Sequence, residues 1–152
     1  MPNPQSTAKI AGHPLHPMLV PFPIAFFVGT LAADLAYLHY GDPFWFRAGL
    51  WLVGAGVVMA LLAALAGITD LLGDPRIRAL SIVWVHFLGN LLAVLIEAFN
   101  WYRRYDIGAD AVRPTGLILS VVAVLILLVT GWLGWEMVYR RRVAVADEIP
   151  VS

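Results

Sequence analysis

Cysteine is absent from this chain of 152 residues. Disulfides, thiolate catalysis, covalent c-type haem attachment and cysteine-ligated iron–sulfur clusters are therefore excluded. Any metal or haem must be held by histidine, methionine, carboxylate or tyrosine. Charge is scarce as well: only 13% of residues are Asp, Glu, Lys or Arg, and ten basic residues balance ten acidic ones. Nucleic acid is not a partner, because phosphate binding needs a basic surplus. No nucleophile elbow, His-Glu-x-x-His motif or intramembrane serine–base pair occurs, so no catalytic motif is present. Internal repeats and low-complexity tracts are lacking too. What fills the chain is apolar: it is 61% hydrophobic with a mean hydropathy of +0.80, far from a soluble domain. The composition is that of a membrane protein, with the lipid bilayer as its first partner.

Four apolar segments, at about 21–40, 44–72, 77–101 and 115–139, can each cross a hydrocarbon core about 30 Å thick, for which roughly 20 helical residues suffice. Gly41-Asp42-Pro43, Gly73-Asp74-Pro75 and a longer polar piece from Arg103 to Pro114 separate them. Short connections make successive helices antiparallel neighbours. The predicted fold is an all-α integral membrane protein with four transmembrane helices in an antiparallel up-down-up-down bundle, behind a His/Pro-rich irregular lead-in. Residues 1–12 read as a flexible N-terminus, 13–142 as the transmembrane domain and 143–152 as a C-terminal tail. The first segment reads as a retained helix, since Pro21 and Pro23 interrupt what would be a signal-peptide core. Lys9, Arg76, Arg78, Arg140, Arg141 and Arg142 fall on the side of the termini, against Arg47, Arg103, Arg104 and Arg113 on the other. This bias predicts that both termini are cytoplasmic. The small residues of the second segment, Gly49, Gly54, Gly56, Ala60, Ala63, Ala64 and Gly67, read as a helix-packing surface.

The least generic stretch is Gly12-His13-Pro14-Leu15-His16-Pro17, followed by Val20-Pro21-Phe22-Pro23. Proline disfavours the α region for its predecessor, so His13, His16, Val20 and Phe22 are expected to be extended, with a regular helix starting near Pro21 or Pro23. In a polyproline II segment, with 3 residues per turn, His13 and His16 would share one edge about 9 Å apart.

Ionisable groups within hydrocarbon are costly, so the few present are functional leads. His86, Asn90 and Glu97 fall within about 40° on one helix face and form a stripe about 16 Å long. That stripe must face the bundle interior. On the terminal side, His13, His16, Asp70 and His86 could converge, with Asn90 as the floor. Towards the other side lie Asp34, Arg47 and Glu97, read as intramembrane polar groups that form interface ion pairs, Asp34 with Arg47 and Glu97 with Arg103 or Arg104. Asp70 could instead cap its turn or pair with Arg76 or Arg78.

The Gly12-His13-Pro14-Leu15-His16-Pro17 motif and Val20-Pro21-Phe22-Pro23-Ile24-Ala25 resemble the opening of a family of bacterial four-helix membrane proteins of unknown function. Asp34-Leu35, Gly67-Ile68-Thr69-Asp70-Leu71 and the His86 to Asn90 pair are similar to later elements of the same family. The resemblance implies a bacterial inner-membrane location. Relatives fused to cytochrome-like or Rieske-like domains imply a redox setting, with a cytochrome or iron–sulfur partner.

Three functions compete. In the first, His13 or His16 binds haem b or a transition metal (Cu, Fe or Zn) together with His86 for electron transfer, with Asp70 orienting a ring and Asn90 nearby. In the second, the stripe from His86 through Asn90 to Glu97, joined to Asp34, forms a small transporter or proton relay. In the third, the protein is a cofactor-free structural or accessory subunit whose lead-in caps the helix ends. A homo-oligomer is compatible with each.

Overall fold

A computed structural model describes residues 2–147. A small hairpin, β1 (Lys9–Ile10) and β2 (His13–Pro14), precedes six helices: α1 (Leu15–Leu19), α2 (Pro21–Tyr40), α3 (Pro43–Gly73), α4 (Pro75–Arg78), α5 (Ser81–Ile107) and α6 (Leu117–Tyr139). Three helical stretches are long and apolar enough to cross a membrane: Leu15–Tyr40, Pro43–Gly73 and Ser81–Tyr139. The third, 59 residues long, contains both α5 and α6. Between them Arg113, which precedes Pro114, leaves the helical region at φ −102°, ψ 132°.

The Gly-Asp-Pro turns work by division of labour. Gly41 ends α2 in the left-handed conformation at φ 70°, which costs a glycine nothing. The Asp42 carboxylate then accepts the Phe44 amide at 2.8 Å, and Pro43 starts α3 where its missing N–H is harmless. At the second turn Asp74 likewise accepts the Arg76 amide at 2.9 Å, and Pro75 opens α4.

Contacts fix the helix directions. Gly49, early in α3, meets Ala33 and Asp34 late in α2, whereas Gly56, further along, meets Phe27. The two helices are therefore antiparallel. Asn100, late in α5, reaches Ser120 and Gly116 at the start of α6, and His86, early in α5, reaches Thr130. That pair is antiparallel too, and α2–α6 and α3–α5 contacts close the assembly. Phe27, Val53, Val57 and Ala60 form a buried core between them. Polar side chains lie inside (Thr30, Asp34, Glu97, Asn100, Arg104, Ser120, Thr130), while large leucines such as Leu65, Leu88 and Leu128 face outward. That is the reverse of a water-soluble domain.

Three expectations need correction. The segment from His13 to His16 is not polyproline II: His13 closes the hairpin and His16 lies within α1. Pro17 sits in the first turn of α1, where proline is tolerated, so His16 is free to be helical. Second, α5 starts at Ser81 and runs to Ile107 instead of spanning 77–101. Leu80 is extended and separates it from α4, and at its far end Arg104 stays helical because it finds a buried carboxylate. Third, the N-terminal residues expected to be flexible are tied down. Asn3 Nδ2 donates to Val145 O at 3.3 Å, and Ala144 N donates to Pro4 O at 2.9 Å. The two ends of the described chain thus clasp each other. Of the expected C-terminal tail, 148–152 lie outside the described residues.

Candidate functional site

Two polar clusters occupy opposite ends of the helices. The first is built around His16 and His86. Hairpin and helix place His16: Ala11 and Gly12, both at positive φ (49° and 82°), form the two-residue turn that returns the chain into α1. His16 then packs on α3, where its Nδ1 meets Ala63 O at 2.8 Å. His86, on α5, places its Nδ1 2.9 Å from Thr130 O on α6. A carbonyl only accepts, so each Nδ1 carries the proton, and each Nε2 is left with its lone pair. Neither Nε2 has a hydrogen-bond partner among the described residues. The ring centroids are 6.3 Å apart with the planes at 80°.

Neighbours restrict both rings. Asn90 Nδ2 donates to His86 O at 2.8 Å, and Thr130 Oγ1 donates to Asn90 Oδ1 at 3.0 Å, so His86, Asn90 and Thr130 form a closed circuit. A Cβ at Gly67 would lie 2.9 Å from His16 Nδ1, and one at Gly134 3.3 Å from His86 Cε1. Both rings line a cavity that admits water centres over about 220 Å³, many times what one water needs. Apart from His16, His86 and Asn90 its walls are apolar, drawn from α2, α3, α5 and α6 and including Phe27, Ala60, Val94 and Leu127.

The second cluster is sealed. Arg104 Nη1 and Nη2 donate to Asp34 Oδ1 and Oδ2, each at 2.7 Å, and Ser120 Oγ donates to Asp34 Oδ2 at 2.8 Å. Arg104 Nε donates to Asn100 Oδ1 at 3.0 Å, and Asn100 Nδ2 donates to Glu97 Oε2 at 2.9 Å. Glu97 is fully buried and its Oε1 has no hydrogen-bond partner among the described residues. Gly49 makes room for the ion pair, since a Cβ there would lie 3.1 Å from Arg104 Nη1.

Residues 12–147 match a family described as predicted membrane protein (DUF2231). The chain belongs to the DUF2231 family. This DUF2231 protein is therefore a multi-pass helical membrane protein, and the match begins at the glycine of the Gly-His-Pro motif. No curated protein and no solved structure matches it.

Of the site residues expected for the DUF2231 chain, the structure brings together His16, His86 and Asn90. His13 is not with them: it is exposed, with Nδ1 3.0 Å from the neighbouring Ala11 O. Nor does Asp70 orient a ring or pair with Arg76. Its Oδ1 accepts from Ser6 Oγ (2.8 Å), Thr7 N (2.8 Å) and Ala8 N (2.7 Å), anchoring the N-terminal segment. The carboxylate that pairs with Arg76 is Asp74, at 2.7 Å. Among the described residues, no group of three or more His, Cys, Asp or Glu side chains is placed to hold a metal. In the sealed cluster Asp34 pairs with Arg104 and not with Arg47, which is exposed, and Glu97 bonds to Asn100 and not to an arginine.

Sequence reasoning gave Arg104 the wrong partner, Glu97 in place of Asp34, and missed Asn100, Ser120 and Thr130. The signal for Arg104 was available, because it lies seven residues beyond Glu97 and continues the stripe of His86, Asn90 and Glu97. Ser120 and Thr130 sit in an apolar run and carry no such mark.

Proposed function

We propose that this protein is a four-span membrane protein that holds a redox-active metal group between His16 and His86 and carries electrons within the bacterial inner membrane. The antiparallel pairs α2–α3 and α5–α6, with the chain ends clasped at one side, support an up-down-up-down bundle with an even number of crossings. The arginine bias at the termini supports a cytoplasmic location for both ends.

The observation that carries the reading is the disposition of the two imidazoles. A metal–imidazole bond is about 2.0 Å long, and a ring centroid lies roughly 1.1 Å beyond the bonded nitrogen, so two imidazoles on opposite sides of one ion have centroids about 6.2 Å apart. The observed separation is 6.3 Å. Hydrogen bonds from each Nδ1 to a backbone carbonyl fix the tautomer that leaves Nε2 available. A cytochrome or an iron–sulfur protein is the partner class that suits such a carrier.

A relay from His86 to Glu97 gains no support from the geometry. On every long helix apolar residues intervene between the two clusters: Phe27 on α2, Val53 and Val57 on α3, Val94 on α5 and Leu127 on α6. The sealed cluster instead favours a structural role for its own end of the molecule.

Spectra of gently purified protein, oxidised and dithionite-reduced, together with elemental analysis, test the proposal. A Soret band or a stoichiometric transition metal, lost in His16→Ala and in His86→Ala but kept in His13→Ala, is expected. Protein with neither signal would overturn it.

A further inference from the structure

We infer that the ion between His16 and His86 is copper, held as Cu(I) by the two imidazole nitrogens in line. The inference rests on the paired-histidine reading and names its metal from three observations.

The first is the angle at the ion. With a metal–nitrogen bond of about 2.0 Å and a ring centroid roughly 1.1 Å beyond the nitrogen, two imidazoles at a tetrahedral angle have centroids about 5.1 Å apart, and in line about 6.2 Å apart. The rings stand at 6.3 Å, which selects the in-line arrangement. Their planes differ by 80°, and in-line bonding permits that, because each ring can turn about the nitrogen–metal–nitrogen axis. The anchors oppose each other as well. Nδ1 of His16 is tied to Ala63 O on α3, and Nδ1 of His86 to Thr130 O on α6. These helices lie diagonally in the ring of contacts α2–α3, α3–α5, α5–α6 and α6–α2. Each Nε2, on the far side of its ring, therefore points away from its own wall into the space between.

The second is the donor set. Zinc, iron and Cu(II) take four or more donors, and among the described residues no third His, Cys, Asp or Glu joins the pair. Asn90 does not fill the gap, because its amide is spent on His86 O and Thr130 Oγ1. Water is a poor substitute within walls this apolar. Cu(I), with its filled d shell, is satisfied by two donors in line. The remaining side-chain heteroatom on the described wall is the sulfur of Met137, and thioethers select Cu(I) over hard divalent ions.

The third is charge. Among the described residues no carboxylate lines the cavity, and both imidazoles are neutral, so nothing offsets the charge of the ion. The desolvation penalty rises as the square of that charge, which makes it roughly four times larger for a divalent ion than for Cu(I). Since Cu(II) lacks the donors it needs here, the site favours the reduced ion. A carrier built this way gives up its electron, Cu(I) to Cu(II), only to a strongly oxidising partner.

The test loads full-length protein, in mild detergent and without oxygen, with Cu(I) and in parallel with Zn(II) or Fe(II). Copper is then challenged with bathocuproine disulfonate, and the divalent ions with EDTA. Stoichiometric copper should survive, silent in electron paramagnetic resonance and with the X-ray absorption edge of two-coordinate Cu(I), while zinc and iron wash out. His16→Ala and His86→Ala should each weaken copper binding by more than about 100-fold, the most that loss of an outer partner alone costs. His86→Met keeps a soft donor and should hold copper while still rejecting zinc, so a misfolded alanine variant does not decide the matter. Zinc or iron retained in place of copper would overturn the assignment and leave the histidine pair standing as a metal site. Retention of none of the three would overturn both.

Discussion

Arg104 grips Asp34 through two hydrogen bonds of 2.7 Å across 70 residues of chain, and neither side chain is more than 1% exposed. Removing one partner strands a charge in a medium that cannot solvate it. Asp34→Ala or Arg104→Ala alone should therefore lower stability by about 3–5 kcal/mol. The pair replaced together by apolar residues of similar volume, Asp34→Leu with Arg104→Met, should come closer to the native protein than either single variant. Thermal unfolding in detergent, compared across the double-mutant cycle, checks this. A loss in the double variant equal to the sum of the two single losses would show that the pair does not act as a unit.

Glu97 should behave differently although it is equally buried. Its Oε2 accepts from Asn100, whereas Oε1 has no partner to lose. Glu97→Gln keeps the accepting oxygen and the shape, so the loss should stay within about 1 kcal/mol, the worth of one ordinary hydrogen bond. Unfolding of this variant alongside Arg104→Ala gives the comparison. A drop as large as that of Arg104→Ala would mean that the carboxylate charge itself holds the cluster.

Steric room around the two imidazoles makes a graded prediction. At Gly67 a methyl group would sit 2.9 Å from His16 Nδ1, a ring already tethered to Ala63 O at 2.8 Å, while at Gly134 the nearest approach to His86 is 3.3 Å. Gly67→Ala should thus displace its histidine and cut retention of the bound metal group severely, with Gly134→Ala much milder. Metal or haem content per chain after identical purification reads the difference. Equal retention in both would remove His16 from the ligand set.

Asp74 supplies the acid dependence of the clasp at the chain ends. Hydrogen bonds from the Arg76 guanidinium, helped by the Arg76 and Gln5 amides, hold its carboxyl well below its ordinary value of 3.8. Because the folded value is depressed, the stabilisation is complete above 3.8 and is lost as pH falls through the lower folded value. The clasp should therefore keep its closure from neutral pH down to about 4 and loosen only in stronger acid. Asp74→Asn should be looser at neutral pH and insensitive to acid over that range. A spin-label distance between Pro2 and Ala146 follows it, and a native clasp that opened near pH 6 would contradict the assignment.

Much of this architecture was legible because hydropathy and Gly-Asp-Pro punctuation are local signals. The helices α2 and α3 lie within a residue of their expected bounds. The end of α5 was not legible in the same way. Tyr102, Arg103 and Arg104 read as a polar boundary, yet the helix continues because Asp34, a remote residue, neutralises Arg104 within the bundle. The same holds for Asp70. Its depth was readable, but the Ser6, Thr7 and Ala8 donors that occupy it come from a segment whose composition suggested fraying. His16 and His86 were readable as candidates, and what separated them from His13 was a hairpin only two residues deep per strand.

The clasp also imposes an order on biosynthesis. Asn3 and Pro4 bond to residues 144–147, and Met137 and Val143 line the cavity beside His16. These residues are translated well after His16. His16 therefore waits, through the insertion of every helix, for its surroundings to be finished. The cavity wall is complete only once residue 143 has been made, and a chain truncated before residue 137 carries both histidines but lacks Met137 and Val143 from the wall between them.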